Sequence, residues 1–455
     1  MSTTLPANGR HSAISRGLPQ EILDDIIDIA AGICFESLLS LSLSSRRFVE
    51  RSQRHIFREI KISRERHVSQ LLAVLDGNPQ LARKVRSLWL CIDENLFLFE
   101  GVLKDVSRVA GQLAGVKRLR LDGSSVVCST FFRNLASLAI EEVSIDAYID
   151  STDLIRRLPI SMLKLGPSAP TYLTFKKESE GEEGQISTTG WKIRHFECDR
   201  CTEALLLVEI CSVYQTLVVL DFRIEVLPQH EAAWSLIGAL KDSPALEVLV
   251  LCYYSWHDYS GASDSLMECC SLPNLPSLLC LRLIRYSRCY IGSAICAEAC
   301  PGFLAAFFTI ISGNPRTSLE VLDIKHLISD IERIEDYEDI LRSTPFNTDC
   351  QDFLDLSWRG TDDLLTNNCL LPRLRALRID IGRIDDPVKM KEYGELCKVT
   401  RQKCEAKVRA CLPKSVERIP LVDFGMGLDE TSEFNAVSNL YHTAATEGSA
   451  PTLVT

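Results

Sequence analysis

The chain has no uninterrupted apolar run of the roughly 18 residues a membrane-spanning helix needs; its longest greasy stretch is Phe303 to Ser312. Residues 1–16 are polar and lack the apolar centre of a secretion signal. No Asn-x-Ser/Thr sequon occurs in the 455 residues. Basic excess is missing too: 50 Lys+Arg against 61 Asp+Glu leave a formal net charge of −11. That argues against nucleic acid as the main partner, because neutralising phosphates takes a basic face. The eight histidines form no His-x-His or His-x-x-x-His pair. No nucleophile elbow, P-loop or dinucleotide glycine fingerprint occurs. The carboxylates of Asp330 to Asp339 lack the spacing of a calcium loop. The expectation is a chain with no catalytic residues, metal or cofactor, contacting neither membrane nor nucleic acid.

What is present is apolar residue in abundance, 46% hydrophobic with 24% charged, which marks a globular chain. At this length it holds two or three domains or one elongated repeat array. The 18 cysteines are scattered, several of them (Cys91, Cys211, Cys252, Cys280) inside apolar runs, where a free thiol behaves as a small hydrophobe. Free thiols in a reducing compartment, cytoplasmic and/or nuclear, are expected. Cys198-x-x-Cys201 is half of a zinc site or a redox pair on one reading, and two more scattered thiols on the other. No second ligand pair at matching spacing accompanies it.

The densest pattern lies between residues 18 and 60. Pro19 suits the first helical position, and Glu21 suits the positive end of the helix dipole. Ile22, Leu23, Ile26, Ile27 and Ile29 follow at helical spacing, with Asp24, Asp25 and Asp28 on the other side. A second apolar group, Leu38, Leu39, Leu41 and Leu43, precedes the basic Arg46, Arg47, Arg51 and Arg54, and His55 to Ile60 closes the stretch. Two or three short helices are predicted, with a linker over 31–36. Roughly forty residues cannot bury this much apolar surface among themselves, so the stretch needs a neighbour. The basic cluster is either a solvated helix edge or a face for an acidic partner.

The stretch resembles an F-box, the helical module that docks onto a Skp-family adaptor of cullin–RING ubiquitin ligases. The matching residues are Leu18-Pro19, Glu21-Ile22-Leu23, the Leu/Ser-rich middle, Ser45-Arg46-Arg47-Phe48 and Ile56 to Ile60. Phe48 stands where many members have Trp, and Ser44 and Ser45 where a Cys or Val is common. With the Asn78 to Arg86 segment that follows, the layout is similar to fungal F-box proteins carrying irregular leucine-rich repeats. The resemblance implies adaptor binding through Leu18, Pro19, Ile22, Leu23, Ile26, Ile27, Leu38, Leu41 and Phe48. Each is an apolar contact capable of roughly 1.5–3 kcal/mol.

Downstream, a triplet recurs: apolar, two spaces, apolar, one space, apolar. It appears at Val85/Leu88/Leu90, Val116/Leu119/Leu121, Leu135/Leu138/Ile140, Ile160/Leu163/Leu165 and Ile193/Phe196/Cys198. It returns at Leu217/Leu220/Phe222, Leu246/Leu249/Leu251, Leu278/Leu281/Leu283, Leu319/Leu322/Ile324 and Leu374/Leu377/Ile379, with Val416/Ile419/Leu421 as one more candidate. At this composition a triplet fits by chance roughly one time in ten. The prevalence of Leu, the Pro-containing turns ahead of several copies and the near-repeat of Leu-Glu-Val-Leu strengthen it. Alternating Leu-x-Leu is a short strand with one buried face, and returning helices are expected at 202–211, 229–240 and 296–311.

The predicted fold is therefore α/β. A short helical F-box-like module (17–62) precedes an irregular leucine-rich-repeat-like solenoid (63–424) of parallel strands with helices on the convex side. A closing helix is expected near 387–411, a surface loop at 176–190, and disorder at 1–16 and 425–455. In such an array the residue between the last two apolar positions faces the concave side. Trp89, Arg120, Arg282, Asp323 and Arg378 are the candidates there for gripping an unknown target protein. The implied function is substrate recognition for a cullin–RING ligase. The rivals are a repeat-based binding scaffold whose helices form only a cap, and an enzyme of unrecognised type.

Overall fold

A computed structural model describes residues 19–91, 100–127, 138–149, 160–166, 193–199, 216–224, 227–255, 272–288, 318–329, 361–381, 406 and 409–425. The chain divides into two compact units, one of residues 1–125 and 130–140, the other of 126–129 and 141–455.

The first unit opens with three helices, α1 (Gln20–Ile33), α2 (Phe35–Ser44) and α3 (Arg46–Ile56). Pro19 lies one residue ahead of the predicted position, at the cap, and its carbonyl accepts the Leu23 N–H at 3.2 Å. The expected linker at 31–36 shrinks to Cys34, because α1 runs three residues further and α2 starts two residues earlier. Ser45 caps α3, its hydroxyl accepting from the Arg47 N–H. Leu23, Ile27 and Leu38 form the buried interior of this bundle. Asp28 clasps α1 to α3, accepting from Arg51 Nε at 2.7 Å and His55 Nε2 at 2.8 Å. The Arg51 hydrogen bond first, then that from His55, holds its carboxyl well below the usual range.

The chain then enters a parallel sheet through β1 (Glu59–Ile62), a strand absent from the predicted repeats. Between β1 and β2 (Ser87–Cys91) run α4 (Glu65–Gly77) and a 3-10 helix (Pro79–Arg83); α5 (Glu100–Gln112) precedes β3 (Arg118–Val127). Val68, Leu71, Leu72 and Leu75 point α4 inward at helical spacing. Asp76 ties α4 to α5 through Arg108 (2.8 Å) and Gln112 (3.0 Å). In register, Leu88 and Leu90 meet Leu119 and Leu121, all buried.

The second unit continues the pattern through β4 (Glu142–Ile149), β5 (Met162–Leu165), β6 (His195–Asp199) and β7 (Val219–Ile224). After α6 (Leu227–Ala239) come β8 (Val248–Ser255), β9 (Cys280–Arg288), β10 (Val321–Ser329) and β11 (Ala376–Ile381). A short α7 (Pro413–Arg418) leads into β12 (Leu421–Gly425). Each strand pairs in parallel with the next in chain order, the order of a stacked leucine-rich-repeat-like array. Helix α6 lies on the leucine face, where Trp234 Nε1 donates to Tyr253 Oη at 3.2 Å.

Two predicted triplets are out of step with the strands. The copy leading into β4 is Ile140/Val143/Ile145, not Leu135/Leu138/Ile140, and that leading into β12 is Ile419/Val422/Phe424, not Val416/Ile419/Leu421. The helix expected at 229–240 is α6, starting two residues earlier. The helices expected at 202–211 and 296–311, the loop at 176–190, most of the closing helix at 387–411 and the segments 1–16 and 426–455 lie outside the described residues.

One main-chain device recurs at nearly every step. The carbonyl just before a strand, or on its threshold, accepts two consecutive N–H groups from the next coil. Ser161 and Met162 donate to Glu141; Glu247 and Val248 donate to Val218; Leu279 and Cys280 donate to Glu247. Arg375 and Ala376 donate to Glu320, and in the first unit Arg86 and Ser87 donate to Arg58. Both lone pairs of one carbonyl are used, which fixes strand register without any side chain.

Candidate functional site

Two surfaces concern function: the outside of the N-terminal helices and the sheet face opposite the leucines.

On α1, Ile22, Ile26, Ile29 and Ile33 follow one another at helical spacing and all are exposed, Ile33 at 79%. On α2, Phe35, Leu39 and Leu43 do the same, Leu43 at 88%. Pro19 is exposed as well, while Leu41 and Phe48 are half-buried. Leu18 lies outside the described residues. The nine sequence-predicted contact residues therefore separate. Pro19, Ile22 and Ile26 are offered to a partner; Leu23, Ile27 and Leu38 are sealed inside the bundle and are corrected to supporting positions. Ile29, Ile33, Phe35, Leu39 and Leu43 join the exposed face, and sequence reasoning did not single them out as contacts. Their i, i+4 spacing carried the signal, but with apolar residues around most of α1 it could not say which side faces inward. Exposed apolar patches of this kind are characteristic of interaction surfaces.

The face opposite the leucines is built by strand register. In the first unit Lys61, Trp89 and Arg120 stand side by side on β1, β2 and β3. The Lys61 ammonium lies 3.6 Å and the Arg120 guanidinium 4.4 Å from the Trp89 ring centroid, so the indole is held between two cations. Trp89 Nε1 is buried with no hydrogen-bond partner. Arg120 also pairs with Asp122 at 2.9 Å and is half-exposed.

In the second unit the same row reads Ser144, Lys164, Glu197, Asp221, Val250, Arg282, Asp323, Arg378 and Asp423. It is a ladder of ion pairs: Lys164 to Glu197 at 3.3 Å, Arg282 to Asp323 at 3.6 Å and Arg378 to Asp423 at 3.7 Å. Lys325 adds a second cation to Asp323 at 3.5 Å. Asp221 breaks the alternation. Its neighbours are Glu197 and Val250, and its Oδ1 is buried without a hydrogen bond. Burial first, then the charge of Glu197, pushes its carboxyl up to about 7.

The adjoining row on this face is apolar and sealed: Val219, Val248, Cys280, Val321 and Ala376, register partners across β7 to β11. Both faces of the sheet are thus buried here, as near-continuous apolar runs such as Val248 to Tyr254 require. This corrects the sequence-predicted target-binding set. Asp323 and Arg378 are buried and paired, Trp89 and Arg282 are half-buried, and of the five Arg120 is the exposed one. Among the described residues no cluster of His, Cys, Asp or Glu fits a metal ion. Cys198 is a buried strand residue, and Cys201 lies outside the described residues.

No family model matches the chain, and no curated protein matches its sequence. Among solved structures it is similar to the Rad7–Elc1 complex from yeast, at 11% identity and a TM-score of 0.31, covering 82% of this chain and 93% of that one. It is also similar to the Arabidopsis receptor kinase HAESA, in complex with the peptide hormone IDA and the co-receptor SERK1. That match has 10% identity, a TM-score of 0.22, and covers 66% of this chain and 39% of that one. Both superpositions are too loose to bear on what this chain does.

Proposed function

We propose that the chain is a non-enzymatic substrate receptor: α1 and α2 dock onto a Skp-family adaptor and, through it, a cullin–RING ligase, while the repeat array holds a target protein. The observation that carries this reading is the row of exposed apolar residues from Ile22 to Leu43, in the stretch that resembles an F-box. Buried in a partner, such side chains each contribute roughly 1.5–3 kcal/mol, so a few of them suffice for a stable complex. The role in ubiquitin transfer is positional, raising the effective concentration of target near the ligase. The compartment is then cytoplasmic and/or nuclear.

Co-purification with a purified Skp-family adaptor tests the reading. Wild-type chain is expected to retain the adaptor, and Ile26→Asp/Leu39→Asp/Leu43→Asp to lose it. Undiminished recovery by that variant would sink the proposal. A second reading has its own support: β1 follows α3 after two residues and pairs directly with β2. The helices then serve as a cap on a protein-binding scaffold with no ligase role. Under that reading, deleting residues 1–56 unfolds the first unit and no adaptor is recovered even by the wild type.

A further inference from the structure

The chain carries a net charge of −11, yet one cavity in its first unit is lined almost wholly by cations. Arg51, Arg54, His55 and Arg58 fall at i, i+3, i+4 and i+7 along α3 and its end, which places them on one side of it. The 3-10 helix and the turn into β2 bring Arg83, Lys84 and Arg86 to the same space, a cavity of about 710 Å³. Glu50 is the one carboxylate in its wall.

Part of this charge is cancelled within the fold. Arg51 pairs with Asp28, and Arg54 pairs with Glu50 at 2.8 Å. Lys84 and Arg86 have neutral partners instead: Lys84 donates to the Gln53 side chain at 3.0 Å and Arg86 Nη1 to the Gly115 carbonyl at 3.0 Å. These bonds position the two groups without neutralising them. Arg58 and Arg83 are exposed. Among the described residues none of these four cations forms an ion pair. Burial pushes the Lys84 ammonium below its ordinary value, against the opposing pull of the Glu50 carboxylate, and an anion in the cavity would relieve that cost.

We propose that this cavity binds a small polyanion carrying clustered phosphate groups. Three features select that class. Guanidinium forks match phosphate oxygens in pairs, and arginine dominates the lining. The volume lies within the range of small-molecule pockets, roughly 300–1,000 Å³. And no Leu, Ile, Val, Met, Phe, Tyr or Trp lines it, so an acidic protein segment would find none of the large apolar pockets that anchor protein interfaces.

The test is calorimetric titration of the full chain with inorganic tripolyphosphate at fixed ionic strength. Saturable one-to-one binding is expected. Arg58→Ser/Arg83→Ser/Lys84→Ser should weaken it roughly tenfold or more, since it removes three charged hydrogen-bond donors from the cavity wall. Arg108→Ser, which removes an arginine outside the cavity, should bind as the wild type does. If the triple variant fails to fold, Arg58→Ser and Arg83→Ser are titrated singly, each expected to weaken binding about threefold, a fraction of one such bond. Binding no stronger than that of sodium chloride at equal ionic strength overturns the proposal, as does binding indifferent to these substitutions. An acidic decapeptide that displaces tripolyphosphate at lower concentration overturns it in favour of a protein partner.

Discussion

Helices α1 and α2 turn seven large apolar side chains outward, whereas strands β10 and β11 turn Asp323 and Arg378 inward. The first region spends hydrophobic surface on solvent; the second keeps full charges out of water. Physical chemistry penalises both, and it compensates them differently. The ions are compensated on the spot, by partners that strand register delivers. The isoleucines and leucines have no compensation among the described residues, so theirs has to come from another molecule. A polar group in the wrong place that has a partner is structural; an apolar row in the wrong place without one points outward.

The largest effect that would break this contrast is at Asp323. Its removal by Asp323→Ala leaves Arg282 and Lys325 facing a buried vacancy, and the expected loss is about 3–5 kcal/mol, read by urea denaturation. A loss under about 1 kcal/mol would mean that water reaches the ladder after all. Next come paired substitutions one residue apart. Ile27→Ala should cost about 2–4 kcal/mol of stability, while Ile26→Asp should change stability by less than about 1 kcal/mol and abolish adaptor recovery. Equal thermal shifts for the two would erase the distinction between inner and outer faces of α1.

Asp221 sharpens the comparison: its Oδ1 is buried, and among the described residues no cation pairs with it. A carboxyl raised in the folded state holds its proton there while the unfolded chain has lost it. Stability therefore falls as pH rises from about 4 to the folded value of about 7, and the penalty is complete above that. Asp221→Asn should match the wild type at pH 4 and exceed it by about 2–4 kcal/mol at pH 8, measured as the difference between thermal melts. The smallest effect is at Asp28, whose depressed carboxyl works the other way. Its contribution is present above the ordinary carboxylate range and is lost as pH falls through it. Asp28→Asn should cost about 0.5–1 kcal/mol at pH 7, because the pair is partly exposed, and less than that at pH 2.

Most strands were legible in the chain because Leu-x-Leu at a fixed offset means the same thing in every copy. Where apolar residues crowd, two triplets overlap, as Leu135/Leu138/Ile140 and Ile140/Val143/Ile145 do, and periodicity alone cannot choose between them. Strand β1 was hidden because Glu59 to Ile62 follows α3 with no proline or glycine to announce a new element. The row of candidate target contacts was identified by position, and register does bring Arg282, Asp323 and Arg378 together. Their mutual pairing and burial were not legible, since these residues are far apart in sequence and what seals a face depends on tertiary packing. The basic cavity was half visible: the arginines of α3 stood out, but Arg83, Lys84 and Arg86 join them only through the β1–β2 pairing.

The doubly accepting carbonyl at nearly every step bears on how coils of different length are joined. The lock forms whether the backbone returns after a short excursion, as from Glu142 to Met162, or a long one, as from Val321 to Ala376. The same pair of main-chain bonds thus closes coils of very different length with one local geometry. Proline is the exception. At the step into β12, Pro420 occupies the first donor position and only Leu421 reaches the Arg375 carbonyl, so that strand is held by one bond where its neighbours have two.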